Sequence, residues 1–216
     1  MLKIENISVS LSNSVILDAV TFNMESNSCY ALTGDSGIGK TTLLNIIAGL
    51  QQPSSGTISY NETLFNDTNT FLEPWLRDIG MVFQDLALWP HMTVLEHLNY
   101  CVSKDLTENK NLFIEQVLQT LHLQDFKNRL PMQLSGGQQQ RLALGRVLVK
   151  QPKIILLDEA FNQLDLKLQK QMWVLLKEYQ LKTKCIILFV THDLKNTIEY
   201  VDKVLLIDNK KILYKT

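Results

Sequence analysis

Gly34-Asp35-Ser36-Gly37-Ile38-Gly39-Lys40-Thr41-Thr42 fills the pattern G-x-x-x-x-G-K-[ST], the mark of a phosphate-binding P-loop. The apolar run Cys29-Tyr30-Ala31-Leu32 before it reads as a buried strand, and Leu43-Leu44-Asn45-Ile46-Ile47-Ala48 after it reads as a helix. That is the strand-loop-helix context the pattern needs. Glycines at 34, 37 and 39 permit left-handed torsions, so successive N–H groups line a nest for phosphate oxygens. The helix beginning near Lys40 adds the positive end of its dipole. In such a loop Lys40 reaches the terminal phosphates and the Thr41 hydroxyl ligates Mg2+. The glycine spacing here, G-x-x-G-x-G followed by Lys-Thr, departs from the G-x-G-x-x-G of a dinucleotide-binding fold.

The 216 residues suffice for one domain carrying an inserted subdomain. Lys and Arg number 21 against 22 Asp and Glu, a net charge of −1, so no basic footprint marks a nucleic-acid partner. Cys29, Cys101 and Cys185 are scattered in apolar surroundings and suit buried thiols in a reducing compartment better than a disulfide framework or a zinc site. The run Cys185–Val190 is too short to span a bilayer, and Met1-Leu2-Lys3-Ile4-Glu5 lacks a secretory pattern.

Alternation at Leu2, Ile4, Ile7 and Val9, then apolar residues Ile16, Leu17, Val20 and Phe22 beyond a turn at Ser12-Asn13-Ser14, predict a small antiparallel sheet ahead of the P-loop strand. Gly49 and Pro53-Ser54-Ser55-Gly56 end the P-loop helix, and Thr57–Tyr60 resumes a strand. Residues 61–78 read as polar and irregular, and Ile79–Phe83 as a short strand ending in Gln84. Helical periodicity takes over in 93–150. A capping box at Thr93-Val94-Leu95-Glu96 starts one helix, a second runs from about Thr107, and Pro131 precedes a third from Gly136 to Lys150. Continuous apolar strands at Ile154–Leu157 and Cys185–Val190 flank a helix over 166–182. A helix over Leu194–Tyr200 and a strand pair at Val204–Ile207 and Lys211–Tyr214 close the chain. The fold class expected is α/β: a P-loop NTPase with a mostly parallel core sheet, an amino-terminal antiparallel β-subdomain and an inserted helical subdomain. In a single domain, 1–92 and 151–216 form the core and β-subdomain, and 93–150 the helical subdomain.

Asp158 and Glu159 stand at the carboxyl end of the Ile154–Leu157 strand, where open α/β sheets place ligand chemistry. Beside a P-loop, such an Asp holds Mg2+ and such a Glu orients and deprotonates the attacking water. A pair of solvated acids in a turn is the plainer alternative. Leu134-Ser135-Gly136-Gly137-Gln138 opens the third helix with Ser135 as N-cap, and its two glycines leave first-turn N–H groups uncovered, at roughly 1 kcal/mol each relative to Ala. Thr191-His192-Asp193 follows a strand end, and an imidazole there can donate to a terminal phosphate. His91, His97 and His122 read as structural.

Taken in order, these motifs resemble the nucleotide-binding domain of ATP-binding cassette (ABC) proteins over nearly the whole chain. Gly34–Thr42 is similar to their Walker A, Gln84 to the Q-loop, Leu134–Gln138 to the signature, Ile154–Asp158 to Walker B with Glu159 as catalytic base, Leu164-Asp165 to the D-loop and His192 to the switch histidine. The wording Phe83-Gln84-Asp85-Leu86-Ala87-Leu88-Trp89-Pro90-His91-Met92-Thr93-Val94 and Asp158-Glu159-Ala160-Phe161-Asn162-Gln163-Leu164-Asp165 resembles bacterial importer ATPases for small polar solutes and anions.

The resemblance implies a catalytic set of Glu159, His192, Gln84 and Lys40 and a metal set of Thr41, Gln84 and Asp158 for Mg2+. ATP would contact Gly34, Asp35, Ser36, Gly37, Ile38, Gly39, Lys40, Thr41, Thr42 and Leu11, with Ser135, Gly137, Gln138 and Asp165 serving across a dimer. It further implies partners: a second copy closing on ATP, integral membrane transporter subunits, and a solute-binding protein. Leu88, Trp89 and Met92 are candidate contacts for the membrane subunits and fit core positions equally well. The chain would then sit peripherally on the cytoplasmic face of the membrane. Leu11 stands where the family generally stacks an aromatic on adenine, which predicts adenine binding weaker by about 1 kcal/mol. Ala160 stands where importers usually have Pro. The chain ends soon after its last strand pair, which predicts no regulatory β-domain. A soluble ABC ATPase outside transport is the second reading, and a module that binds ATP without turnover is the third. The intact Lys40, Asp158, Glu159 and His192 argue against that third reading.

Overall fold

The computed structural model describes residues 1–11, 14–102, 109–161, 164–192 and 194–215. The turn at Ser12 and Asn13, the helix start expected near Thr107, and Asn162, Gln163 and Asp193 lie outside them. Two compact units divide the chain. The first comprises Met1–Ile79, Lys153–Asp158 and Lys184–Thr216, and the second Gly80–Pro152 and Glu159–Thr183.

In the first unit, period-2 alternation sets the faces of β1 (Leu2–Leu11) and β2 (Ser14–Met24): Leu2, Ile4, Ile7 and Val9 are buried, as are Leu17, Val20, Phe22 and Met24. The strands pair antiparallel, from Leu2 opposite Met24 to Leu11 opposite Ser14. Next come β3 (Cys29–Thr33), the P-loop, α1 (Lys40–Ala48), β4 (Ser55–Tyr60) and β5 (Thr63–Asn66). β1, β2, β4 and β5 form an antiparallel sheet in the order β2-β1-β4-β5.

β6 (Ile79–Val82) straddles the boundary between the units in sequence. The second unit holds α2 (Val94–Cys101), α3 (Lys110–Thr120) and α4 (Gly136–Lys150), and after β7 (Ile154–Asp158) of the first unit it takes α5 (Leu166–Thr183). α2 and α3 both pack on α4. The chain returns to the first unit for β8 (Ile186–Val190), β9 (Lys203–Asp208) and β10 (Lys211–Lys215). Within that unit the strand order is β10-β9-β3-β8-β7, with β9, β3, β8 and β7 mutually parallel and β10 antiparallel on the edge. Every residue of β3, β7 and β8 is buried, as expected of strands covered on both faces. The α/β class with a mostly parallel sheet and a separate antiparallel sheet is therefore the observed one.

Two local expectations are corrected. Residues 61–78 are not irregular throughout: they contain β5 and a 3-10 turn at Pro74–Leu76. Leu194–Tyr200 is not a helix. One α-type bond forms, from Ile198 N–H to the Leu194 carbonyl at 2.9 Å, and the chain then tightens into a 3-10 turn at Ile198–Tyr200, where Tyr200 N–H donates to the Thr197 carbonyl at 3.0 Å.

The stretch 61–78 also holds Arg77, a residue with 1% of its surface exposed. Its Nη1 donates to the Ile46 and Ile47 carbonyls, both at 2.9 Å, at the carboxyl end of α1, while Nε donates to Leu72 O and Nη2 to Phe65 O. Phe65 and Phe71 lie against it with centroids 5.3 and 5.0 Å away. Burial lowers its pKa to about 10, and the negative end of the α1 dipole and the two ring faces offset part of that cost. Arg77 thereby ties α1 to β5. We expect Arg77→Met to destabilise the protein by about 3 kcal/mol, since it strands buried carbonyls, a Tm drop of roughly 10 °C. Thermal denaturation checks this, and a Tm within about 2 °C of wild type contradicts the assignment.

Candidate active site

In the first unit the phosphate-binding elements gather at one edge of the parallel sheet. Pairing sets Leu32 of β3 level with Val190 of β8, and Val190 level with Asp158 of β7. The P-loop leaves β3 after Thr33, His192 follows β8 by two residues, and Asp158 ends β7. With strands about 4.8 Å apart, these three groups sit within roughly 10 Å across one carboxyl edge.

Loop geometry explains the glycines. Gly34, Gly37 and Gly39 have φ of 145°, 75° and 111°. A Cβ on Gly34 would lie 2.9 Å from the Ile207 carbonyl, and one on Gly39 would lie 2.8 Å from the Ile16 side chain. The loop is thus wedged between β9 and β2, and α1 begins beyond it with N–H groups that no side chain caps. Lys40 is buried, and its Nζ donates to the carbonyls of Gly34 at 2.9 Å and Asp35 at 2.8 Å, which holds the ammonium against the loop. Asp35, Ser36 and Thr41 are exposed, while Ile38 and Thr42 are half-buried.

These residues fit a nucleotide with Mg2+. The uncapped amides and the ammonium call for an anion, and Asp158, 2% exposed, is a buried carboxylate at the same edge. Among the described residues no cluster of three or more His, Cys, Asp or Glu could hold a metal by itself. That agrees with Mg2+ held by few protein ligands, such as the Thr41 hydroxyl and Asp158, together with phosphates and water. Leu11 is 47% exposed at the end of β1, available to a flat ligand but offering no ring.

The second unit holds Gln84, Glu159, the signature segment and Asp165. Ser135 caps α4 reciprocally: its Oγ accepts from Gln138 N–H at 3.3 Å, and Gln138 Oε1 accepts from Ser135 N–H at 2.9 Å. Gly137 has a steric reason as well as an electrostatic one, because a Cβ there would stand 3.1 Å from Leu164 Cδ2. The segment resembling the D-loop therefore packs on the start of α4. Asp165 caps α5, its Oδ1 accepting from Leu168 N–H at 2.9 Å. Glu159 has φ 52° and Ala160 is buried. A proline at 160 would push residue 159 toward extended torsions, so alanine leaves Glu159 this left-handed geometry.

Gln84 is exposed and opens a loop whose next apolar pair, Leu86 and Ala87, has φ of 62° and 42°. Arg146 of α4 grips both their carbonyls: Nη1 donates to Ala87 O at 2.7 Å and Nη2 to Leu86 O at 2.6 Å. The Trp89 ring lies 4.9 Å over the guanidinium and stacks on His97 at 5.3 Å. His97 Nε2 accepts from Trp89 N–H at 3.0 Å, and Nδ1 lies 2.8 Å from Thr93 O, so the ring must be neutral with its proton on Nδ1. The expected capping box at Thr93 and Glu96 forms. Reading the sequence missed Arg77 and Arg146. The signal for Arg146 was a single cation inside the wholly buried run Leu142–Val149.

A family model described as ABC transporter matches residues 17–162. The chain is 39% identical over 212 residues, 97% of its length and 88% of the relative's, to the probable sulfate/thiosulfate import ATP-binding protein CysA of Chlorella vulgaris. It is 38% identical over 215 residues to the sn-glycerol-3-phosphate import ATP-binding protein UgpC of Bartonella quintana, covering 98% of this chain but 61% of that relative. Four further import or ABC relatives are covered over 54% to 61% of their length, so the chain spans little more than half of most curated relatives it matches. Among solved structures, the post-hydrolysis dimer of the ATP-binding cassette MJ0796 bound to ADP and Pi superposes with a TM-score of 0.86 at 28% identity, over all of this chain and 98% of that one.

Two expectations follow from the geometry. Leu11→Tyr should lower KM for ATP about fivefold, the equivalent of ~1 kcal/mol of stacking, and an unchanged or raised KM in steady-state assays counts against Leu11 at the adenine. For His97, burial lowers the pKa. The unfolded chain therefore takes up a proton below about pH 6.5 that the folded chain resists, and stability falls as pH drops through that region. The Tm of wild type should decline from pH 7.5 to 5.5 more steeply than that of His97→Gln, and parallel slopes would refute the neutral ring.

Proposed function

The chain belongs to the ABC transporter family of ATP-binding cassettes, and on that premise we propose that it is the ATP-hydrolysing subunit of a membrane importer, working as a pair of identical cassettes. The observation that carries the proposal is the meeting of the P-loop, Asp158 and the strand leading to His192 at one sheet edge. Relatives named for import of sulfate or thiosulfate and of sn-glycerol-3-phosphate support a small polar or anionic solute as cargo. No helix among the described residues is long and apolar enough to cross a membrane. On the family reading, the cassette would work peripherally at the cytoplasmic face, docked on integral membrane subunits that receive solute from a binding protein.

In this reading the amides of residues 34–42 and Lys40 bind the phosphates, and Lys40 exchanges its bonds to Gly34 and Asp35 for phosphate oxygens. Thr41, Asp158 and Gln84 would hold Mg2+, which would supply neutralisation of the charge that develops on the phosphates. Glu159 would accept a proton from the water that attacks the γ-phosphorus, the bond from that phosphorus to the oxygen bridging to the β-phosphate breaks, ADP and inorganic phosphate leave, and Glu159 returns its proton to solvent. His192 donates to the terminal phosphate. Leu11 covers the adenine. A second copy presents Ser135, Gly137 and Gln138 at the far side of the same nucleotide, with Asp165 beside them, so ATP glues the pair and hydrolysis releases it.

Glu159→Gln should lower kcat about a thousandfold and accumulate an ATP-bound dimer, read by light scattering on a sizing column. Turnover equal to wild type, or a mutant that stays monomeric in ATP, would sink the assignment. Pull-down from detergent-solubilised membranes tests coupling to transport. Recovery of a multi-span protein supports it, and recovery of this chain from the soluble fraction alone opposes it.

A further inference from the structure

The loop after Gln84 does not hold its shape by local preference. Two consecutive L-residues, Leu86 and Ala87, adopt left-handed torsions that cost such residues roughly 1–2 kcal/mol each. Their local bonds are the Leu86 N–H to the Phe83 carbonyl at 2.9 Å and the Ala87 N–H to Asp85 Oδ1 at 3.2 Å. The turn directs the two successive carbonyls at α4, where the Arg146 fork receives both. The guanidinium meets the two carbonyls with two separate nitrogens held in one plane, whereas a lysine would have to serve both from a single freely rotating ammonium. Downstream the arch is closed by Trp89, whose ring covers the fork and whose N–H is held by His97.

Arg146 lies ten residues beyond Gly136 on the same helix, about 15 Å along its axis from the segment capped by Ser135. We propose that Arg146, roofed by Trp89, is the positioning residue for Gln84, making α4 the rod that links the signature segment to the Q-loop. The inference rests on the functional reading of Gln84 and of the signature segment given above. When a partner's nucleotide pulls on the start of α4, the fork carries that displacement to the peptide groups two and three residues after Gln84. Arg146 touches no reacting atom.

The test compares wild type, Arg146→Lys and Trp89→Leu as purified full-length chains. Arg146→Lys keeps the charge and loses the fork. It should lower kcat roughly tenfold or more while KM for ATP stays within about twofold, because the P-loop supplies most of the phosphate contacts and Gln84 a single one. Amide hydrogen exchange over residues 84–89 should rise in the same variant, whether or not ATP is present. A merely structural Arg146 would lower Tm and the folded fraction while leaving kcat per folded molecule at the wild-type value, and that result overturns the proposal. Should Arg146→Lys fail to fold, Trp89→Leu decides, since it leaves the fork and removes its roof. A fall in kcat at constant KM with faster exchange over 84–89 supports the proposal, and wild-type kcat and exchange overturn it. Absence of ATP turnover in the wild type overturns the functional reading instead, so the two failures are distinct.

Discussion

The first unit depends on keeping the amino end of α1 open toward the sheet edge while the rest of the helix stays fixed. An anion site made of main-chain amides works only if those amides have no other acceptor and cannot swing away. At the amino end, Gly34 and Gly39 let the loop pass so close to Ile207 and Ile16 that no Cβ fits. At the carboxyl end, Arg77 takes the Ile46 and Ile47 carbonyls. α1 is therefore gripped at both termini, and its first turn presents donors with no side-chain cap. Lys40 completes the arrangement from within by bonding to the loop it precharges.

A second buried guanidinium repeats the device in the second unit. Arg77 and Arg146 both donate to main-chain carbonyls from their terminal nitrogens, both lie against aromatic faces, and burial lowers the pKa of both. A buried cation is expensive, so it is retained where its geometry does something an apolar residue cannot. Here each fork joins stretches of backbone distant in sequence: α1 with the strand and turn of residues 65–72, and α4 with the loop after Gln84. Side-chain packing alone would let these segments slide. Directional bonds to carbonyls fix both distance and orientation.

What could be read from the residues, and what could not, follows the same division between local and distant causes. The P-loop, the buried strands β3, β7 and β8, and the capping boxes at Thr93 and Ser135 are written within a few adjacent positions, so pattern and chemistry suffice. β5 was invisible because only Phe65 and Asn66 of its four residues are buried, which leaves too little alternation to notice. The stretch 194–200 has Leu194 and Ile198 at helical spacing and the α-type bond between them, yet the N–H groups of Tyr200 and Val201 reach back only three residues, so a single tight turn forms and no helix. Arg77 and Arg146 act on carbonyls many residues away, and no window along the chain contains their reason. The glycine at 137 was read for the amides it uncovers, whereas the nearness of Leu164 supplies a constraint that belongs to the fold.

That last contact bears on how the second unit functions as one piece. Leu164 follows Glu159 by five residues and packs on Gly137, while the carbonyls that Arg146 holds follow Gln84 by two and three. The segments carrying the two candidate groups that would handle the attacking water are thus both fastened to α4, one near its start and one about 15 Å further along. A Cβ at 137 would come within 3.1 Å of Leu164 Cδ2, so the first fastening is a close approach that glycine permits, and the second is two short directed bonds of 2.6 and 2.7 Å. A ligand that moves the Ser135 end of α4 would act on both fastenings, the packing of Leu164 on Gly137 and the two carbonyls that Arg146 holds after Gln84.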